Sequence, residues 1–234
     1  MLDSLLNSPL DIGIEAPLIL FILIALEAVL SADNAIALAS IAQGFEDKQL
    51  QRKALNFGLV ASYVLRIILI LTATWVIQYW QFEVIGALYL LWLVFNYFTS
   101  NEDDSEILHG PKFVSLWQAI PMIAVTDLAF SLDSVTTAIA ISDQIWLVII
   151  GGTIGVIILR FLAGLFIQWL DIFTHLETAG YITVGLVGLR LLVRAIDPEL
   201  VPPEWLMIVA IAGIFFWGFS EKNPIESISE SQES

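Results

Sequence analysis

Apolar residues run in seven stretches along this chain, at about 17–42, 54–79, 83–99, 115–142, 144–170, 179–196 and 204–220. A helix needs roughly 17–25 apolar residues to cross the hydrocarbon core of a bilayer, so the pattern predicts seven transmembrane helices. The breaks GFEDKQLQRK, NEDDSEILHGPK, DIFTHLE and DPELVPPE carry charge and turn punctuation. The shorter breaks at Gln78 to Glu83 and Ser142 to Gln144 leave room only for antiparallel hairpins. The predicted organisation is an N-terminal segment at 1–16, a transmembrane region at 17–220 and an acidic tail at 221–234.

A repeat underlies the pattern. Glu27, Ser31, Asp33 and Asn34 in LEAVLSADNA align at an offset of 100 with Asp127, Ser131, Asp133 and Ser134 in TDLAFSLDSV. After the first span the offset falls to 94, as a shorter connection in the second half requires, and Arg66 then maps to Arg160, Glu83 to Glu177 and Gly86 to Gly180. Three spans per repeat is an odd number, so the second copy (115–196) enters the membrane from the side opposite to the first (17–99). The expectation is an all-α membrane protein of two inverted three-helix repeats plus one extra helix at 204–220, an arrangement common in secondary transporters. Arg190 has no counterpart at Asn96, so the symmetry fails there.

Composition agrees with a bilayer setting: 58% of residues are hydrophobic and only 14% charged, with a mean hydropathy of +0.85. The formal charge of -15 reflects acids in the Asn101 to Glu106 linker and in the tail, which read as solvated ends rather than a docking face for a basic partner. With no cysteine there is no disulfide framework and no thiolate metal site. The first residues carry acids and no base, unlike a cleaved signal or an Arg-rich transit peptide, so the first apolar run is expected to stay in the mature protein. Lys48, Arg52, Lys53, Lys112 and Lys222 fall in alternate connections; the positive-inside rule then places the N-terminus outside and the C-terminus in the cytoplasm. The host membrane is read as a bacterial plasma membrane.

Ionisable side chains inside such spans are expensive and point to function. On a regular helix Glu27, Ser31 and Asn34 share one stripe, as do Asp127, Ser131 and Ser134, while Asp33 and Asp133 lie about a third of a turn away. Either each acidic helix is distorted near Ser31 and Ser131, or one carboxylate per repeat holds an ion while the other meets a partner. Arg66 and Arg160, also mid-span, are the expected partners, while Arg190 and Arg194 each either meet a carboxylate or snorkel to the headgroups, with Arg194 better placed to snorkel. Four carboxylates against two guanidiniums leave two negative charges, which a divalent cation balances. Carboxylate, hydroxyl and amide oxygens suit Mg2+, Ca2+ or Mn2+. His109 and His175 lie outside the acidic helices; His175 with Asp171 and Glu177 could form an edge site, although ordinary helix-end charges explain them as well. The glycines at 151, 152, 155, 164, 180, 185 and 188 read as close helix packing, and the tryptophans as interfacial anchors.

LEAVLSADNAIALA followed by QRKAL, and FSLDSV in the fourth span, resemble the TerC family of integral membrane proteins over residues 17–220. The resemblance implies a seven-span fold related to LysE-type exporters, and association with manganese efflux, tellurium-resistance operons or responses to alkaline pH. By motif, Glu27, Asp33 and Asn34 match the first acidic element and Asp127, Asp133 and Ser134 the second. It makes these six the metal-ligand candidates, Asp33 and Asp133 foremost, with Ser31, Ser131, Arg66 and Arg160 supporting. No added cytosolic domain is evident.

The expected activity is secondary export of a hard divalent cation, Mn2+ first, coupled to H+ or Na+. Alternatives are export of Ca2+ or of a small solute such as a basic amino acid, and a non-transporting scaffold linked to metal or tellurite resistance. A nucleotide-driven pump is disfavoured by the absence of a GxxxxGK[ST] loop. An intramembrane aspartyl protease using Asp33 and Asp133 is disfavoured by the lack of a GxGD motif and by the surplus acids. The protein is thus read as no enzyme, with no permanently bound cofactor. Its partners are the transported ion and the lipid bilayer, with no nucleic acid, and homo-oligomerisation is left open.

Overall fold

A computed structural model of the chain describes residues 15–100, 113, 115–142 and 144–223, apart from the side chains at 15, 32, 33, 100 and 204. His109, Lys112, the acidic linker, the tail after residue 223 and the Asp33 side chain lie outside what is described. Among the described residues seven α-helices follow in order: α1 Glu15–Gln43, α2 Lys48–Val76, α3 Trp80–Ser100, α4 Leu116–Ile141, α5 Ile145–Ile172, α6 Leu176–Ile196 and α7 Glu204–Gly218. A short 3-10 turn, Pro198–Leu200, joins the last two.

Local chemistry sets the helix ends. The Asp47 carboxylate accepts the Gln49 N–H at 2.7 Å to cap α2, and the Ser115 hydroxyl accepts the Trp117 N–H at 3.3 Å to cap α4; each satisfies a donor that the first turn leaves unpaired. Asp197 accepts the Glu199 N–H at 3.0 Å in the turn before Pro202 and Pro203, and no helix runs through that segment.

Helices α2 to α6 are each long and apolar enough to cross a membrane; α1 is a sixth when its two segments, Ala16–Ser31 and Asn34–Gln43, are taken as one span bent by 43°. The seventh expected span is shorter than its apolar run: α7 has 15 residues, about 22 Å at 1.5 Å per residue, against a hydrocarbon core of about 30 Å. It begins at Glu204, where the apolar run begins, and stops at Gly218, two residues before the run ends.

The main packing partners are α1 with α5, α2 with α4 and α3 with α6, while α7 rests on α6. Two apolar clusters occupy opposite ends of the bundle. The larger unites the later halves of α1, α3 and α5 with the earlier halves of α2, α4 and α6, around Ile36, Leu55, Leu93, Ile123, Leu159 and Leu176. The smaller gathers Leu23, Leu69, Ile70, Val135, Leu147 and Val148. Along α1, α2, α4 and α5 the change from one cluster to the other passes through polar residues or glycine, and the acids sit in that layer. At the larger-cluster end the α1–α2, α3–α4 and α5–α6 connections meet the C-terminal segment: the Phe113 N–H donates to Gly44 O at 3.0 Å, Lys48 reaches Asp171 and Phe173 bridges Lys222.

Candidate functional site

Helical spacing places Glu27, Ser31 and Asn34 of α1, Ser62 and Arg66 of α2, and Asp127, Ser131 and Ser134 of α4 in the layer between the two apolar clusters, and all eight are buried. Arg66 is the hub. One guanidinium nitrogen donates to Glu27 Oε1, and the other reaches Asp127 Oδ1 at 3.2 Å and Oδ2 at 3.4 Å. A planar fork of donors can serve two carboxylates on two helices at once, which a lysine ammonium does less well. The Ser62 hydroxyl also donates to Asp127 Oδ2. Ser131 and Ser134 instead donate along α4, to Asp127 O at 2.7 Å and Ser131 O at 3.4 Å. The Ser31 hydroxyl is buried with no hydrogen-bond partner among the described residues.

Helix α5 supplies the clearance. A Cβ on Gly155 would lie 2.0 Å from Glu27 Cγ, so Glu27 reaches Arg66 only because that position carries no side chain. Beside the cluster a void of about 10 Å³ is lined by Glu27, Arg66, Ser134, Gly151 and Gly152 among others, near the lower limit for one water molecule.

Asp133 projects elsewhere. Arg190 donates to its Oδ2 at 2.6 Å, Arg194 to its Oδ1, and Arg194 Nε also lies 3.8 Å from Glu83 Oε1. Two guanidiniums thus face two carboxylates where α3, α4 and α6 meet. Asp133, Asn34 and Arg190 form the polar side of a cavity of about 370 Å³ between α1, α4, α6 and α7, otherwise lined by residues such as Leu26, Phe130, Ile211 and Phe215.

One expectation changes, and two open alternatives are decided. Arg160 does not join the acids: it lies on the α2-facing side of α5 and donates from Nε to Asn56 Oδ1. Arg194 does not snorkel, because Asp133 and Glu83 hold it. His175 does not meet Asp171; it bonds Glu221 at 2.8 Å and stacks on Trp217 with ring centroids 4.9 Å apart, while Asp171 takes Gln43 at 3.0 Å and Lys48 at 3.4 Å. On α4 the two acids diverge and both meet arginines, Asp127 on Arg66 and Asp133 on Arg190 and Arg194, while α1 bends between Ser31 and Asn34. Among the described residues no three His, Asp or Glu side chains form a metal-holding group.

Residues 12–224 match the integral membrane protein TerC family. The chain belongs to that family. It is 33% identical over 219 residues to the uncharacterized membrane protein YceF of Bacillus subtilis, covering 91% of this chain and 82% of YceF. It is 31% identical over 194 residues to YkoY of the same organism, covering 74% and 59%. Over 219 residues it is 24% identical to the chloroplastic thylakoid membrane protein TERC of Arabidopsis thaliana, covering 80% of this chain and 56% of that one. The chain therefore spans less than two thirds of the last two relatives. No solved structure matches it. This TerC protein is an integral multi-pass membrane protein, and its membership is compatible with a membrane transporter or a metal- or tellurite-resistance role.

Proposed function

We propose that this TerC protein is a secondary transporter exporting a hard divalent cation, with Mn2+ as the principal substrate, by alternating exposure of a midplane site between two inverted three-helix repeats. The observation that carries the reading is the bend of α1: its axis turns by 43° across Ser31–Asn34, and the Ser31 hydroxyl there is buried and unpartnered among the described residues. A spanning helix tolerates a break only where protein or a polar cavity satisfies the freed backbone groups, and such breaks hold ions in transporters. Asp33 and Asn34 lie in this one. Glu27, Asp33 and Asp127 against Arg66 leave two formal negative charges, the complement of one divalent ion, and the oxygen donors are hard.

The packing supports the inverted repeat. Contacts of α1 with α5 are mirrored by α4 with α2, and contacts of α1 with α6 by α4 with α3. The two halves differ in charge: at the offset of 94, Arg190 and Arg194 of α6 correspond to Asn96 and Ser100 of α3. Asp133 is neutralised by guanidiniums from its own chain, while the α1 half takes the external cation through Asp33, Asn34, Glu27 and Asp127. Asp133 and Ser134 become ligands in the opposite-facing state. The end carrying Lys48, Arg52, Lys53 and Lys222 faces the bacterial cytoplasm, and a proton or sodium gradient drives export.

The test is manganese accumulation in cells lacking their own exporters, with wild type compared with Asp33→Asn and Asp127→Asn at matched membrane expression. Wild type is expected to lower cell manganese and both variants to lose the effect. Unchanged manganese with wild type, or variants that act like it, would overturn the proposal; a fall in calcium instead would reassign the substrate.

A further inference from the structure

Arg160 is the charged side chain that the acidic layer does not use. It lies 12 residues before the end of α5, bonds only the neutral amide of Asn56, and has no carboxylate within ion-pairing distance among the described residues. The charged group that acts on it is a second cation, Arg52. Both arginines line a cavity of about 470 Å³ between the start of α2 and the end of α5, with Lys48, Gln51, Gln168 and Asp171. Among the described residues the one acid there, Asp171, is already held by Lys48 at 3.4 Å and Gln43 at 3.0 Å, so neither guanidinium has a counter-charge among them. A Cβ on Gly164 would lie 3.0 Å from Arg160 Nη1, so the glycine leaves room for the guanidinium to lie along α5.

Below this basic cavity, and sharing Arg160 and Phe161 with it, runs an apolar groove of about 420 Å³ lined by Leu59, Val60, Tyr63, Val156 and Ile157. Phe57, Val60, Ile157 and Phe161 around it are exposed, as expected of a surface that meets lipid tails. From Lys48 to Tyr63 the seam extends about 22 Å at 1.5 Å per residue, the span of a headgroup and an acyl chain within one leaflet.

A lipid-facing guanidinium without a counter-charge is costly, and phosphate oxygens are the acceptors that arginine pairs bind best. Basic pockets between transmembrane helices recognise anionic headgroups. We infer that the α2–α5 seam holds an anionic phospholipid, its phosphate between Arg52 and Arg160 and one acyl chain in the groove below. Inorganic phosphate would leave the groove empty, and a zwitterionic lipid would bring its own cation beside the two arginines.

The experiment is native mass spectrometry of the full chain taken from nanodiscs containing phosphatidylglycerol and phosphatidylcholine in equal amounts. Wild type is expected to retain phosphatidylglycerol selectively. Arg52→Gln and Arg160→Gln should each lower that retention about fivefold, the contribution of one basic residue near a headgroup. Lys53→Gln removes an equal charge from the neighbouring exposed position and should leave retention unchanged. Val60→Trp keeps both arginines, fills the groove and should also release the lipid, so the inference does not depend on folding of the arginine variants. Equal retention of the two lipids, an equal loss in Lys53→Gln, no loss in Val60→Trp, or complete displacement by millimolar inorganic phosphate would each overturn it. So would a dimer that Arg160→Gln dissolves without any change in bound lipid.

Discussion

Replacing Gly155 by alanine separates two opposed expectations. Alanine is the better helix former by about 1 kcal/mol, so helix propensity alone predicts a gain in stability. The geometry predicts a loss. The new Cβ would fall 2.0 Å from Glu27 Cγ and 2.9 Å from Cδ, near the root of that side chain, so the whole carboxylate must swing away and cannot keep its place on Arg66. Overpacking costs about 1–3 kcal/mol, and removing one partner from a buried ion pair about 3–5 kcal/mol, an upper figure here because Asp127 stays on Arg66. Set against the propensity gain, a net loss of about 2–4 kcal/mol follows, or roughly 4–16 °C in melting temperature at about 2–4 °C per kcal/mol for a chain of this size. Thermal unfolding in detergent, read by tryptophan fluorescence, measures it. Gly152→Ala is the internal control, since its Cβ would meet Ile70 at 3.7 Å and Arg66 at 3.8 Å, ordinary contact distances. In a Glu27→Ala background the atoms that clash with residue 155 are gone, and Gly155→Ala should become neutral or stabilising. Equal effects in the two backgrounds, or a Gly155→Ala protein that melts with or above wild type, would refute the reasoning.

Two further outcomes follow from the charge clusters. Ser62→Ala removes the hydroxyl that donates to the buried Asp127 carboxylate; a hydrogen bond to a charged group contributes about 1.5–3 kcal/mol, and denaturant or thermal unfolding should show a loss in that range rather than the few tenths typical of an exposed serine. Asp133→Asn leaves Arg190 and Arg194 facing one another without their shared carboxylate, so it should destabilise strongly, and adding Arg190→Gln should restore part of the loss with a coupling of about 1–3 kcal/mol; strictly additive effects would contradict the pairing.

The helices coincide with the apolar runs because lipid enforces one rule, a continuous apolar length, and that rule is written in linear order. Direction around the helix axis is not. Arg66, Arg160, Arg190 and Arg194 were all visible as charges at a given depth, yet only the packing of α2 against α4 turns Arg66 inward, while α5 points Arg160 toward α2 and the membrane. The absent counterpart of Arg190 was a usable clue: an unmatched intramembrane arginine has to find an acid, and Asp133 lay a third of a turn off its stripe. Gly155 read correctly as a place of close approach, but what approaches is a carboxylate rather than a helix backbone, and nothing in one strand of sequence pairs residue 155 with residue 27. Ser62 carried no signal at all, since a lone serine in an apolar span is ordinary.

The fastening of α7 has a mechanical consequence. Behind Gly218, whose missing side chain lets Ala179 and Leu176 of α6 come close, the chain is stitched to the α5–α6 connection by the Phe173–Lys222 bridge, by Thr174 to Asn223 at 2.8 Å and by His175 to Glu221. Helix α6 carries both arginines that grip Asp133, and α7 forms one wall of the cavity beside it. In the proposed transport cycle the two helices would therefore move as one body: a step that loosened the grip on Asp133 would shift the cavity wall with it.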